Sequence, residues 1–286
     1  MHIETSPQRF WQHVSEQLAP QEAYYNLMLG MLLKAPERQT ADGKTCMASL
    51  SLTPGHLFLY KTANEKLLLA GTQTPEALSS HMPQVLDFIV QQGLEIKGID
   101  APTPMADRYV QLCQTELGQS WSLSLNKGVY QLDQVIPPPA CPGHFRLAQA
   151  EDSAVLSAYH AAFVAESLPH KQSTDANKLQ AVQQQIQAEQ LFVWERDGQI
   201  TSTAARKRET GSGTAISLVY TPPEWRGHGY ASACVAALSQ YLLNSGKRFC
   251  CLFTNLSNPT SNRIYERIGY TRIGTFAQYQ RSLDHD

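Results

Sequence analysis

The spacing of apolar and polar positions changes repeatedly along the chain, and each change predicts an element. In the second half, Phe145-Arg146-Leu147 reads as a short strand, and Glu151-Asp152 open a helix carrying Val155, Leu156, Tyr159 and Phe163. A polar helix rich in Gln and Ala follows from Asn177 to about Ala188. Leu191–Trp194 is a strand, Arg196-Asp197-Gly198 its hairpin turn, and Ile200–Arg208 the return. Gly211-Ser212-Gly213 turns the chain again into a strand over Thr214–Thr221. From about Tyr230 to Leu243, Ala231, Cys234, Val235, Leu238 and Leu242 recur at helical spacing and face a sheet, and Asn244-Ser245-Gly246 ends that helix. Phe249–Phe253 is a buried strand, Asn258-Pro259 starts a helix that stops at Gly269, and Tyr270 to about Tyr279 supplies the last strands.

The first half has a similar order in a less sharp pattern. Helices are expected near 6–18, 20–34, 75–92 and 103–117. Strands are expected near Cys46–Leu52, Leu57–Thr62, Leu67–Gly71, residue 96, Trp121–Ser124 and Val129–Leu132. Between the halves, Pro137-Pro138-Pro139-Ala140-Cys141-Pro142-Gly143 admits neither helix nor central strand, because proline fixes φ and lacks the N–H donor. The expectation is a domain over 1–136, a stiff linker over 137–143 and a second domain over 144–286. Three antiparallel strands, a crossover helix and a parallel strand define an α+β fold with a mixed, mostly antiparallel sheet flanked by helices.

Composition narrows the function. The 286 residues are 42% hydrophobic and 17% charged, a globular balance. The net charge of -2 gives no electrostatic case for nucleic acid. Residues 1–141 hold 9 Lys/Arg against 13 Asp/Glu and residues 142–286 hold 14 against 12, so only the second part suits an anionic ligand. The six cysteines form no C-x-x-C pair and read as buried free thiols, and the nine histidines lack metal-ligand spacing. The start lacks a signal-peptide pattern and no apolar run reaches the roughly 20 residues of a membrane span. The expectation is a soluble cytoplasmic protein, monomer or homodimer, with no metal, membrane or nucleic-acid partner.

The candidate chemistry lies where strand 214–221 meets the next helix, at Arg226-Gly227-His228-Gly229-Tyr230-Ala231-Ser232. Two spaced glycines permit positive φ and bring backbone N–H groups close to a ligand, at a helix N-terminus that favours an anion. A loop that merely connects is the plainer alternative. A Walker loop is excluded because no G-K-[ST] follows, and the dinucleotide fingerprint fails because Ser232 stands at its third glycine.

These residues resemble motif A of the GNAT acetyltransferase superfamily, [QR]-x-x-G-x-[GA], at Arg226, Gly229 and Ala231. Further on, Asn258-Pro259-Thr260-Ser261-Asn262-Arg263-Ile264-Tyr265-Glu266-Arg267-Ile268-Gly269-Tyr270 resembles the superfamily's second cofactor segment. The resemblance covers roughly 144–280. It implies that acetyl-CoA lays its pyrophosphate on the amides from Gly227 to Ser232, His228 and Tyr230 included. It implies that the strand end Val219, Tyr220 and Thr221 holds the pantetheine arm and the acetyl carbonyl. It also implies that Asn258 contacts pantetheine and that Tyr265 stands near the sulfur as general acid. Read without the resemblance, Asn258 is a helix cap and Tyr265 a core residue.

The implied reaction is direct attack of an amine on the thioester. Glu166, at the end of the first helix of that half, is the candidate base, with Glu209 and His170 as rivals and a solvated surface carboxylate as the plain alternative. Gly71-Thr72-Gln73-Thr74-Pro75 holds the corresponding place in the first half but lacks the spaced glycines and the arginine. The arrangement resembles two-domain GNAT proteins whose first copy has lost the cofactor site. The implied activity is acetyl transfer to a small-molecule amine; the alternatives are another acyl donor, a peptide acceptor, or an acyl-CoA sensor without turnover.

Overall fold

The structure, a computed structural model, describes residues 1–34, 45–64, 66–167 and 175–282. The chain divides into two compact units. One comprises Met1–Tyr130, Phe253–Asn258 and Arg272–Asp286; the other comprises Gln131–Leu252 and Pro259–Thr271.

The first unit contains β1 (His2–Ile3), α1 (Pro7–Leu18), α2 (Asn26–Leu33), β2 (Cys46–Ser51), β3 (His56–Lys61), β4 (Lys66–Gly71), α3 (Pro75–Ser79), α4 (Met82–Gln91), β5 (Gly98–Pro102), α5 (Thr103–Leu117) and most of β6 (Trp121–Leu132). Strands β2, β3 and β4 pair antiparallel and β4 pairs with β5 in parallel. The unbroken apolar runs of β3 and β4 follow from a sheet covered on both faces. Leu57, Leu59, Leu67 and Leu69 join one core cluster with α4 and α5, while Phe58, Tyr60, Leu68 and Ala70 join another with α1 and α2. The expected helix 75–92 is two helices: the Ser79 and Ser80 hydroxyls bond back to the carbonyls of Glu76 and Ala77, and Pro83 opens the second. The two expected strands 121–124 and 129–132 form one continuous strand.

The second unit contains β7 (His144–Leu147), α6 (Ser153–Ser167), α7 (Asp175–Gln187), β8 (Leu191–Arg196), β9 (Gln199–Glu209), β10 (Gly213–Tyr220), α8 (Tyr230–Asn244), the start of β11 (Phe249–Asn255) and α9 (Pro259–Arg267). Asp197 at φ 51° and Gly198 at φ 75° make the β8–β9 turn one with two left-handed residues, the geometry that matches strand twist. Strands β7 to β10 pair antiparallel in order, and β10 pairs with β11 in parallel. This repeats the pairing scheme of β2 to β5. Leu156 of α6 and Val182 of α7 pack with Leu191, Val193, Ile200 and Ala205 of the sheet.

The closing strand β12 (Thr271–Arg281) pairs antiparallel with β5, Phe276 opposite Pro102 through Gln280 opposite Gly98. Residues 133–143 form no helix or strand. They are tied within the second unit, where Ile136 N–H donates to the Ile268 carbonyl at 2.9 Å and Trp194 Nε1 donates to the Pro142 carbonyl at 2.9 Å.

All six cysteines are free, five of them buried. Burial pushes the Cys234 and Cys250 thiols up to about 12 and Cys113 up to about 11, so they behave as small apolar residues. Among the described residues no cluster of His, Cys, Asp and Glu could hold a metal, and no helix is long and apolar enough to cross a membrane.

Candidate functional site

The turn into α8 is built around two left-handed glycines. Gly227 has φ 81°, and Gly229, the N-cap of α8, has φ 87°. A Cβ at Gly227 would meet nothing within 4 Å, and one at Gly229 only the Cys141 side chain at 3.9 Å. The glycines are therefore required by backbone conformation, not by crowding within the protein, and they leave the outside of the turn open to a ligand. No side chain caps α8. Its first-turn N–H groups, at Tyr230, Ala231 and Ser232, have no intrahelical acceptor and remain available to an anion. The corresponding helix of the first unit differs: the Thr74 hydroxyl accepts from Ala77 N–H at 3.3 Å and Pro75 fills the first turn, so α3 satisfies itself.

Upstream, β10 carries an irregularity that a regular strand could not. Leu218 has φ 52°, and the register with β9 shifts between Ser217 and Tyr220. A left-handed leucine costs on the order of 1–3 kcal/mol, and such outliers concentrate at ligand clamps. The parallel ladder with β11 runs only from Gly213↔Phe249 to Ala215↔Cys251, while β10 continues to Tyr220. Val219 lies in the bulge. The Tyr220 carbonyl accepts from the Ser202 hydroxyl at 3.2 Å, and the Thr221 hydroxyl bonds Ser202 at 2.9 Å. Ser202 thus fixes the end of β10, a role its place in the alternation of β9 did not disclose.

Arg226 is exposed and bonds back to the end of β10 and to α6. Its Nε donates to the Thr221 carbonyl at 2.9 Å and its Nη2 donates to both oxygens of Glu166 at 2.9 Å. The Tyr220 hydroxyl donates to the same carboxylate at 3.2 Å, and burial followed by the Glu166 charge raises the Tyr220 phenol above its usual value. The expected base is therefore gathered with Arg226 and Tyr220, half-exposed, with both oxygens engaged. Glu209 pairs with Arg206 and Lys247 instead, and His170 lies outside the described residues.

Tyr230 is buried, its hydroxyl accepting from Arg196 at 2.8 Å, and the exposed His228 ring stacks on it at 5.9 Å. Their side chains shape the turn while their backbones form it. Tyr265 sits on α9 at 8% exposure, its ring edge-on to Tyr270 at 5.9 Å. Burial raises its phenol well above 10, so it keeps its proton at any physiological pH. Asn258 groups with the first unit, where its N–H donates to the Asn255 carbonyl at 3.0 Å.

The family described as FR47-like protein matches residues 196–280, which span β9, β10, the glycine turn, α8, β11, α9 and nearly all of β12. No curated protein matches the chain in sequence. Among solved structures, a GNAT-family acetyltransferase from Colwellia psychrerythraea is 15% identical, with TM-score 0.57, over 98% of this chain and 99% of that one. A Drosophila protein is 12% identical with TM-score 0.65 over 98% of each chain. A GCN5-related N-acetyltransferase from Kribbella flavida is 13% identical with TM-score 0.53 over 91% of this chain and 96% of that one. The chain has the fold of these acetyltransferase structures, the GNAT fold that the two motifs implied.

Proposed function

We propose that this protein is an N-acetyltransferase that moves the acetyl group of acetyl-CoA to a primary amine of a small molecule by direct attack. The observation that carries the reading is the uncapped N-terminus of α8 at the left-handed Gly229, directly after the bulged end of β10. The residues fit the group: open amides suit a diphosphate, and a strand edge freed from its ladder suits the amide-bearing pantetheine arm. In this reading Gly227 to Ser232 bind the diphosphate through their backbones, and the bulged strand end from Val219 to Thr221 holds the arm. Arg226 and Glu166 keep the turn and the strand end in register, with Tyr220 packed against them. Tyr265 donates a hydrogen bond to the developing thiolate. Full proton transfer from a phenol above 10 to a thiolate whose acid lies near 8.5 is uphill by more than about 2 kcal/mol, so a hydrogen bond is the larger part of its role.

The self-capped α3 supports a first domain without a cofactor site, and the proposed acetyl-transfer domain is 144–286 with 137–143 leading into it. An acyl-CoA sensor is the second reading, favoured by the cover over Tyr265. The test is release of free CoA from acetyl-CoA across a panel of small primary amines. Amine-dependent release supports the enzyme; tight acetyl-CoA binding without release under any amine supports the sensor.

A further inference from the structure

Between α6, α7 and the sheet of the second unit lies a crevice of about 270 Å³, counted with the solvent it opens to, in which the centre of a water-sized group has only about 10 Å³ to occupy. That space holds about one such group. Its walls are largely apolar, including Phe163, Val182 and Leu218, and it reaches Tyr220 at the end of the β10 bulge. Two of its lining residues, His160 of α6 and Gln185 of α7, each carry a polar atom, Nδ1 and Oε1, that is shielded from solvent and has no hydrogen-bond partner among the described residues. Gln185 is 9% exposed. Buried polar atoms are nearly always satisfied, so such a pair on residues lining one crevice calls for a partner.

The chemistry of the two atoms selects that partner. Gln185 Oε1 only accepts, and His160 Nδ1 accepts when the ring is neutral with its proton on Nε2. Burial, then Lys207 on β9 and Lys178 on α7, lowers the His160 pKa and keeps it neutral. The phenols of Tyr159 and Tyr220 complete its surroundings, and the Tyr159 hydroxyl is already committed to the Ile200 carbonyl at 2.7 Å. Two acceptors on residues that line the same crevice fit a donor with two N–H bonds.

We propose that His160 Nδ1 and Gln185 Oε1 receive the primary amino group of the acceptor, His160 as the general base and Gln185 orienting the second N–H. The proposal rests on the acetyl-transfer reading. The neutral amine nitrogen gives its lone pair to the thioester carbonyl carbon, forming C–N as C–S breaks. One N–H proton passes to His160 and from there to solvent, and the departing thiolate takes a proton from solvent. Glu166 is not suited to this task, since both its oxygens already accept from Arg226.

The test is an NMR titration of ¹⁵N-histidine-labelled protein saturated with CoA, using n-propylamine at alkaline pH as probe and n-propanol as control. The His160 resonance, assigned by its loss in His160→Gln, is expected to shift saturably with the amine and not with the alcohol. Gln185→Leu should weaken that response roughly tenfold, one hydrogen bond's worth. With any amine that turns over, His160→Gln should lower kcat/KM by about 10²–10⁴ and remove its acid limb, while Glu166→Gln keeps the limb. A His160 resonance indifferent to amine in CoA-saturated protein overturns the proposal and leaves a bridging water as the partner. Failure of CoA itself to bind, read by calorimetry, overturns the acetyl-transfer reading instead.

Discussion

Arg226 and Glu166 are joined through a single nitrogen: Nη2 of the guanidinium lies 2.9 Å from each carboxylate oxygen, while Nε holds the Thr221 carbonyl at 2.9 Å. The end of α6, the end of β10 and the glycine turn are thereby connected by one side chain. Because the pair is half-exposed, it contributes little to global stability.

Arg226→Ala is accordingly expected to cost less than about 1 kcal/mol in urea unfolding and to weaken acetyl-CoA binding more than it weakens the fold. Calorimetry beside chemical denaturation checks this. Equal losses in both would make the arginine a plain structural residue.

Tyr265→Phe should leave acetyl-CoA affinity nearly intact and lower kcat toward the lower end of the roughly 10²–10⁴-fold range for acid–base assistance. The ring and its packing on Tyr270 survive, and only the hydroxyl is lost. The loss belongs in kcat because the hydrogen bond strengthens as the thiolate forms. Wild-type kcat, with chemistry limiting, would leave Tyr265 a packing residue.

In the first unit, Lys127 Nζ lies 2.6 and 2.7 Å from the two oxygens of Asp100 and 4.7 Å over the Phe253 ring, with both side chains buried. Asp100→Leu leaves a buried ammonium alone and should cost about 3–5 kcal/mol. Asp100→Leu with Lys127→Met should recover most of that loss, as read from denaturation midpoints.

Protonation of His160 has a stability signature of its own. Its pKa in the fold is lowered below 6.5 by burial and by Lys207 and Lys178, so the native state binds fewer protons there than the unfolded chain. Stability is full above the unfolded value and falls as pH drops through it toward the folded one. His160→Gln should flatten that fall below about pH 6.5. An unchanged slope would mean the ring is charged in the fold.

Much of this architecture was legible in the sequence, because its signals are local. Helical spacing across Ala231 to Leu242 and the turn at Arg196-Asp197-Gly198 gave α8 and the β8–β9 hairpin nearly to the residue. The glycine turn was legible because positive φ restricts the residue type. What stayed hidden depends on distant partners. The Ser202 bond to Tyr220, the Glu166–Arg226 pair and the orphaned His160 and Gln185 join residues far apart in the chain, which no spacing rule connects. The pairing of β12 with β5 is hidden for the same reason, since each strand's pattern is satisfied by any neighbour.

The most direct measurement is calorimetric binding of acetyl-CoA to the wild type and to Gly229→Glu, with folding of the variant verified by circular dichroism. Gly229 is left-handed, caps α8 without a side chain, and a Cβ there would meet only the Cys141 side chain at 3.9 Å. A glutamate there strains the cap and sets a negative charge where the diphosphate must approach. The account predicts binding by the wild type and its loss in the folded variant. Unchanged affinity in a folded Gly229→Glu protein would contradict it.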